Sequence, residues 1–368
     1  MSDATPLPPA APIKGRGTPV RIAHRFEMQT RELEDDGWGA LEEQVLDGQR
    51  GAAVATELIE EQARTLINRN DSPDVPFDHA INPYRGCEHG CIYCYARPNH
   101  GYLNLSPGLD FETKIVAKMN AAECLRAELG KPGHRPSPIN IGSATDAYQP
   151  LERRLGLTRA LLEILVACRH PYTIITKSAG IERDIDLLSQ SAARNEVGVF
   201  VSITTLDPWL ARTLEPRAAA PHRRLQAVRR LAEAGIPVAV NVAPIIPFLN
   251  EPEIERIAQA AAEAGARSLH YTVLRLPWEV APLFREWLQT HVPDRAARVM
   301  ARVQELRGGK DYDADFRHRM RGQGPWAELI RQRIDKAAAR NGLSRKSPQL
   351  DEHHFVAPSR DTAQGSLF

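Results

Sequence analysis

The chain has 368 residues, 42% hydrophobic and 25% charged, with a net charge of +1, the profile of an ordinary globular protein of one large domain with extensions, or of two domains. Its five cysteines are too few for a disulfide scaffold, which points to a reducing cytoplasm. No run of 18 or more apolar residues is present to span a membrane, and the opening MSDATPLPPAAPIKGRG lacks the apolar core of a signal peptide.

Taken in chain order, the first 20 residues are rich in Pro, Ala and Gly and are expected to be disordered. Residues 21–75 are acidic, and TELIEEQARTLINR (56–69) predicts a helix. Together, residues 1–75 form an N-terminal extension with 8 Lys/Arg against 14 Asp/Glu. From residue 76 the pattern changes. Short apolar runs recur: INIGS (139–143), YTIIT (172–176), VGVFVSI (197–203), VAVNVAP (238–244) and LHYTVL (269–274). Each is followed by a helical stretch, such as TRALLEILVACR, DIDLLSQSAAR, HRRLQAVRRLAEAG and EPEIERIAQAAAEAG. The alternation predicts βα units and a parallel sheet, and the lack of polar alternation within the strands predicts burial on both faces.

With a strand just before Cys87 there are about six such units. A doubly wound sheet and a full or partial barrel satisfy that count equally. No G-x-G-x-x-G and no G-x-x-x-x-G-K-[ST] follows any strand, which argues against dinucleotide and P-loop folds. Residues 281–346 read as a helical C-terminal extension, and residues 347–368 as a polar tail. Residues 301–350 carry 12 Lys/Arg against 6 Asp/Glu, a balance that suits a solvated helical surface or one that attracts phosphates.

The chemistry concentrates in NPYRGCEHGCIYCYARPNH, residues 82–100, where Cys87, Cys91 and Cys94 are spaced C-x3-C-x2-C. Soft thiolates suit zinc or an iron–sulfur cluster. A structural zinc site needs a fourth ligand, for which His89, His100, Cys124 and Cys168 are the candidates. A cubane cluster held by three cysteines instead leaves one iron open to an exogenous ligand, which is the arrangement of a catalytic rather than a structural centre.

C-x3-C-x-aromatic-C, with Tyr93 as the aromatic, resembles the cluster motif of radical S-adenosylmethionine (SAM) enzymes. The resemblance covers roughly residues 76–280. It implies the partial (β/α)6 barrel of that superfamily, a [4Fe-4S] cluster on Cys87, Cys91 and Cys94, and SAM chelated to the open iron. In the family an electron, delivered by a donor such as flavodoxin or ferredoxin, cleaves the sulfonium C–S bond. The resulting 5′-deoxyadenosyl radical abstracts hydrogen from the substrate.

The site is expected at the C-terminal ends of the strands, where barrel enzymes carry their chemistry. By resemblance, the polar residues of GSATDAYQPLE, namely Ser143, Thr145 and Asp146, hold the methionine amino group. Ser202 and Thr204 alternate with apolar residues, share one face of their strand and are matched to ribose and carboxylate contacts. Arg217, in LEPRAAAPHRRL, is the candidate fork for the methionine carboxylate, with Glu215 as its orienting partner. Arg212, Arg223, Arg224, Arg229 and Arg230 are expected in solvent, because Leu225, Val228 and Leu231 form the buried stripe of their helix. Backbone near Ala243 and Pro244, together with Tyr93, is the candidate adenine site.

The wording NPYRGC-H-C-YCYAR, TD-YQP-E, ITKS, LEPR and AP-IP resembles the spore photoproduct lyase-related, DNA repair photolyase-like branch. That resemblance makes nucleic acid the expected substrate class. Lyases of this kind carry a thiol hydrogen donor where this chain reads Gly142-Ser143-Ala144-Thr145. The ending Gln364-Gly365-Ser366-Leu367-Phe368 resembles the peptide by which bacterial DNA-processing enzymes dock on the sliding clamp.

Overall fold

The apolar runs beyond residue 138 are strands because they are buried on both faces: every side chain of Val197–Ser202 is covered. The computed structural model describes residues 13–27 and 54–358. Among the described residues there are ten strands: β1 (Glu57–Glu61), β2 (Ile67–Arg69), β3 (His79–Ile81), β4 (Tyr84–Arg85), β5 (Lys114–Lys118), β6 (Ile139–Ile141), β7 (Tyr172–Thr176), β8 (Val197–Ser202), β9 (Val238–Ile245) and β10 (Ser268–Val273).

Seven of them form one sheet in the order β10-β9-β8-β7-β6-β3-β2, parallel throughout except for β2 at the edge. Within this sheet each strand from β3 onward lies beside the one that follows it in chain order, while β4 and β5 join β1 in a second sheet. Right-handed crossovers repeated in one direction put all the helices on one face and curl the sheet. A doubly wound sheet would reverse its order at a switch point, and no reversal occurs between β3 and β10. The fold is therefore an α/β partial barrel. Helices Leu157–Ala167, Ile185–Ala193, Pro221–Glu233 and Ile254–Glu263 fill the crossovers, and their apolar faces meet Ile141, Ile174, Val199 and Val240 in the main core.

Two N-terminal expectations are overturned. TELIEEQARTLINR is not a helix: it supplies β1, which runs parallel to β5, and β2, which runs antiparallel to β3. Two exposed sheet edges offer its backbone partners, and that pairing outweighs a modest helix propensity. Residues 13–20 are also ordered. Val20 accepts from the Leu109 N–H at 2.9 Å, and the Gly17 N–H donates to Glu112 at 2.8 Å. A Cβ at Gly17 would stand 1.9 Å from the Gly90 carbonyl, so only glycine lets this strap lie against the cysteine segment.

Beyond the sheet lie helices Val280–His291, Pro293–Glu305 and Gly324–Arg340. The chain then returns along the N-terminal ends of the strands. Ser344 bridges to Ser268, Asp351 donates to the Asn195 carbonyl, and Val356 donates to the Cys168 carbonyl. Gln364, Leu367 and Phe368 lie outside the described residues. No helix among the described residues is long and apolar enough to cross a membrane.

Candidate active site

The cysteine segment follows β4 and is held by its own backbone. The Cys87 N–H donates to the Phe111 carbonyl at 2.9 Å, Ile92 to Leu214 at 3.1 Å and Cys94 to Cys91 at 3.2 Å. Arg97, wholly buried, donates to the carbonyls of Cys91, Gly90, Pro107 and Gly108 and pairs with the equally buried Glu112. That pairing is what allows a guanidinium inside the protein: both charges are compensated and the fork is fully used. Glu88 ties the segment to its surroundings, accepting from the Leu151 N–H and the Thr56 hydroxyl and pairing with Arg217 at 3.1 Å.

Cys87, Cys91 and Cys94 are free thiols, the first two buried and the third partly so. Burial pushes all three thiols up, and for Cys87 the neighbouring Asp146 and the other two cysteines push in the same direction. Thiols so placed become thiolates only beside a strong positive charge, which iron supplies. The residues present therefore fit a cluster. They fit zinc poorly, because no fourth ligand gathers with the three cysteines among the described residues. His89 Nδ1 faces Asp146 at 3.3 Å, and His100 Nε2 faces the Lys114 carbonyl at 3.0 Å. Cys124 donates to the Ala63 carbonyl, and Cys168 is part of the main core. Among the described residues no three His, Cys, Asp or Glu side chains gather as one ion requires. A cubane takes its cysteines on different irons and does not need them to converge on one point.

The strand ends beside this segment form two polar networks. Asp146 is the centre of the first: it accepts from Thr176 at 2.7 Å, from the Lys177 N–H at 2.7 Å and from the Tyr148 N–H at 2.9 Å, and it faces His89. Burial alone would raise its pKa, but His89 and these donors hold it at about 2. Thr145 donates to the Gly86 carbonyl at 2.6 Å, and Ser143 accepts from Asn82 at 3.2 Å. Gly142, at φ +88°, makes the turn out of β6, where a Cβ would stand 2.8 Å from the Ile175 carbonyl.

The second network surrounds Glu215. Its carboxylate takes the Tyr93 and Thr204 hydroxyls, faces Lys177 at 3.5 Å and pairs with Arg224. Burial again opposes ionisation, and Arg224 with Lys177 brings Glu215 down to about 2. The Lys177 ammonium also donates to the Ala243 carbonyl at 3.0 Å. Ser202 ends β8, and its carbonyl accepts from Arg224 at 3.0 Å.

The strand ends thus bring together Tyr93, Ser143, Thr145, Asp146, Ser202 and Thr204. Arg217 goes elsewhere, toward Glu88, Thr56 and the strap at Gly15. Glu215 does not orient Arg217; its partner is Arg224, which is buried and not in solvent. The helix stripe failed there because a buried carboxylate, invisible to periodicity, draws that arginine inward. Sequence reasoning passed over Lys177 altogether. The available signal was a lysine standing directly after a barrel strand, where side chains face the site.

A Radical SAM superfamily model matches residues 81–261. The chain belongs to the radical SAM superfamily. It is an enzyme whose superfamily uses a [4Fe-4S] cluster and SAM. An uncharacterised protein of Mycobacterium tuberculosis (strain H37Rv) is 35% identical over 301 residues, 80% of this chain and 83% of the relative. One of Methanocaldococcus jannaschii is 30% identical over 197 residues, 54% and 71% of the two chains. Among solved structures, a spore photoproduct lyase variant has a TM-score of 0.53 at 16% identity, with 87% of each chain covered. Another, with bound AdoMet and dinucleoside spore photoproduct, has a TM-score of 0.51 at 16% identity over 78% of this chain and 80% of that one. At such identity the likeness is one of fold.

Proposed function

We propose that this radical SAM enzyme cleaves SAM reductively and directs the radical at a nucleic-acid substrate. One observation carries the reaction: three free thiols set beside the C-terminal ends of a parallel sheet, one short of a closed site. When bound, the cluster and SAM supply a one-electron break of the sulfonium C–S bond, giving methionine and the 5′-deoxyadenosyl radical that takes hydrogen from substrate. The electron comes from a donor such as flavodoxin or ferredoxin.

The protein's own residues position and neutralise. Lys177 is our choice for the methionine carboxylate, since Asp146 fixes its backbone N–H and its ammonium stands at the strand ends, against the Ala243 carbonyl. Arg217 becomes a positioning residue between the strap and the cysteine segment. Ser143 and Thr145 serve the methionine amino group, and Asp146, its oxygens already taken by four neighbours, positions them along with Lys177. Tyr93, Thr204 and Ser202 serve adenine and ribose, the first two oriented by Glu215.

Nucleic acid as substrate is supported by the likeness of fold to spore photoproduct lyase and by the 12 to 6 excess of basic residues in 301–350. The reaction differs in its hydrogen return. Residues 142–145 contain no cysteine, and Cys124 and Cys168 are held at the main core, away from the strand ends. Anaerobically reconstituted protein should be brown and, given SAM and dithionite, should release 5′-deoxyadenosine. Colourless protein holding one zinc and no iron would sink the proposal.

A further inference from the structure

Of the nine large apolar side chains exposed among the described residues, Phe26, Tyr102 and Trp278 gather around Arg25, and Tyr95 packs under Arg275. Tyr95 follows Cys94 directly, and Tyr102 lies in the 3₁₀-helix Arg97–Leu103 that comes next. Trp278 stands just past the C-terminal end of β10. The Arg25 guanidinium sits 4.2 Å from the Trp278 ring centre, 4.5 Å from Phe26 and 5.4 Å from Tyr102. Arg275, also past β10, lies 4.3 Å over Tyr95, and among the described residues no carboxylate is within ion-pair distance of it.

Burial does not explain this arrangement. Trp278 and Tyr102 are 60% and 68% exposed, so the rings present open faces to water. Trp278 holds φ at +45°, a conformation a bulky side chain adopts at a cost. An aromatic cage for a cationic peptide is ruled out by its contents, since Arg25 already occupies it. What the rings still offer is flat π surface beside the Arg275 guanidinium, whose hydrogen-bond acceptor in the protein is the Met320 sulfur and not a carboxylate. That combination suits bases that have left a duplex, with phosphates nearby. Bases within a duplex are already stacked, and an enzyme that acts on one must first take it out.

We infer that Tyr102, Trp278 and Tyr95 form a stacking platform for an unpaired nucleic-acid strand, with Arg275 contacting its phosphates, beside the radical site. The inference rests on the proposed nucleic-acid substrate and adds how it is held.

The test is fluorescence anisotropy of the anaerobically reconstituted protein, without SAM, against a labelled single-stranded DNA oligonucleotide and the same sequence as duplex. Single strand should bind more tightly. Trp278→Ala and Tyr102→Ala should each weaken it by about fivefold to 150-fold, the equivalent of about 1–3 kcal/mol, with circular dichroism unchanged. Arg275→Ala should lower the salt dependence of binding. Equal affinity for duplex, or unaltered affinity in both ring variants, would overturn the platform. Release of 5′-deoxyadenosine, assayed in the same preparations, separates the two claims. Protein that releases it but binds no oligonucleotide sinks the platform alone; protein that binds but releases none sinks the proposed reaction alone.

Discussion

Arg224 reaches the Glu215 carboxylate beneath the strand ends, and both side chains are almost wholly buried. Neither charge is tolerable there without the other. The pair fixes the acceptor that orients Tyr93 and Thr204 and that shares the charge of Lys177.

Arg224→Met should therefore destabilise the protein by about 3–5 kcal/mol at neutral pH, because it strands a buried carboxylate. The pH dependence has a definite sign. Glu215 is depressed to about 2 when folded, so its contribution is present above the unfolded value of about 4.3 and fades as pH falls through that range. Without Arg224 the carboxyl rises and protonates earlier, so the deficit should be smaller at pH 5 than at pH 8. Urea unfolding at both values decides this.

Cys87→Ala, Cys91→Ala and Cys94→Ala should each abolish visible colour and 5′-deoxyadenosine release. Cys124→Ala and Cys168→Ala should keep both, since those thiols are at the main core. Iron and sulfide content after anaerobic reconstitution is the measurement.

Lys177→Met should weaken SAM binding roughly 10- to 150-fold, the loss of a hydrogen bond to a charged group worth about 1.5–3 kcal/mol. Arg217→Met should change it less than about threefold, since the side chain is held by Glu88. Equilibrium dialysis of the reconstituted proteins separates them, and the reverse ranking would restore Arg217 as the carboxylate partner.

Gly17→Val should displace the strap, because its Cβ would collide with the Gly90 carbonyl. The expected cost is about 1–3 kcal/mol in stability, together with faster bleaching of the cluster in air. Thermal melts and loss of absorbance under oxygen report each effect.

For the tail, a pull-down with the bacterial sliding clamp should succeed with the full chain and fail when Leu367 and Phe368 become alanine. Equal capture of both proteins would dismiss clamp docking.

Periodicity and punctuation were enough to place the five strands β6 to β10 and the helices between them, because strands buried on both faces need unbroken apolar runs. Local spacing was enough to single out Cys87, Cys91 and Cys94 as candidate cluster ligands, because a cluster motif on one segment depends on near neighbours. The same local reading misassigned residues 56–69, whose conformation is set by β5 and β3, strands that lie outside that segment.

The partners around the site were beyond it for the same reason. Glu215 and Arg224 are nine residues apart, yet Tyr93 and Lys177 join them from 122 and 38 positions away. Charge pairs of that kind carry no period and no motif. The sequence by itself determined the superfamily, since three thiols at that spacing, ahead of a βα series, are a local chemical statement. Only the tertiary structure decided that Lys177 rather than Arg217 stands at the strand ends, because the burial of Glu215 and Glu88 selects which cation each one holds.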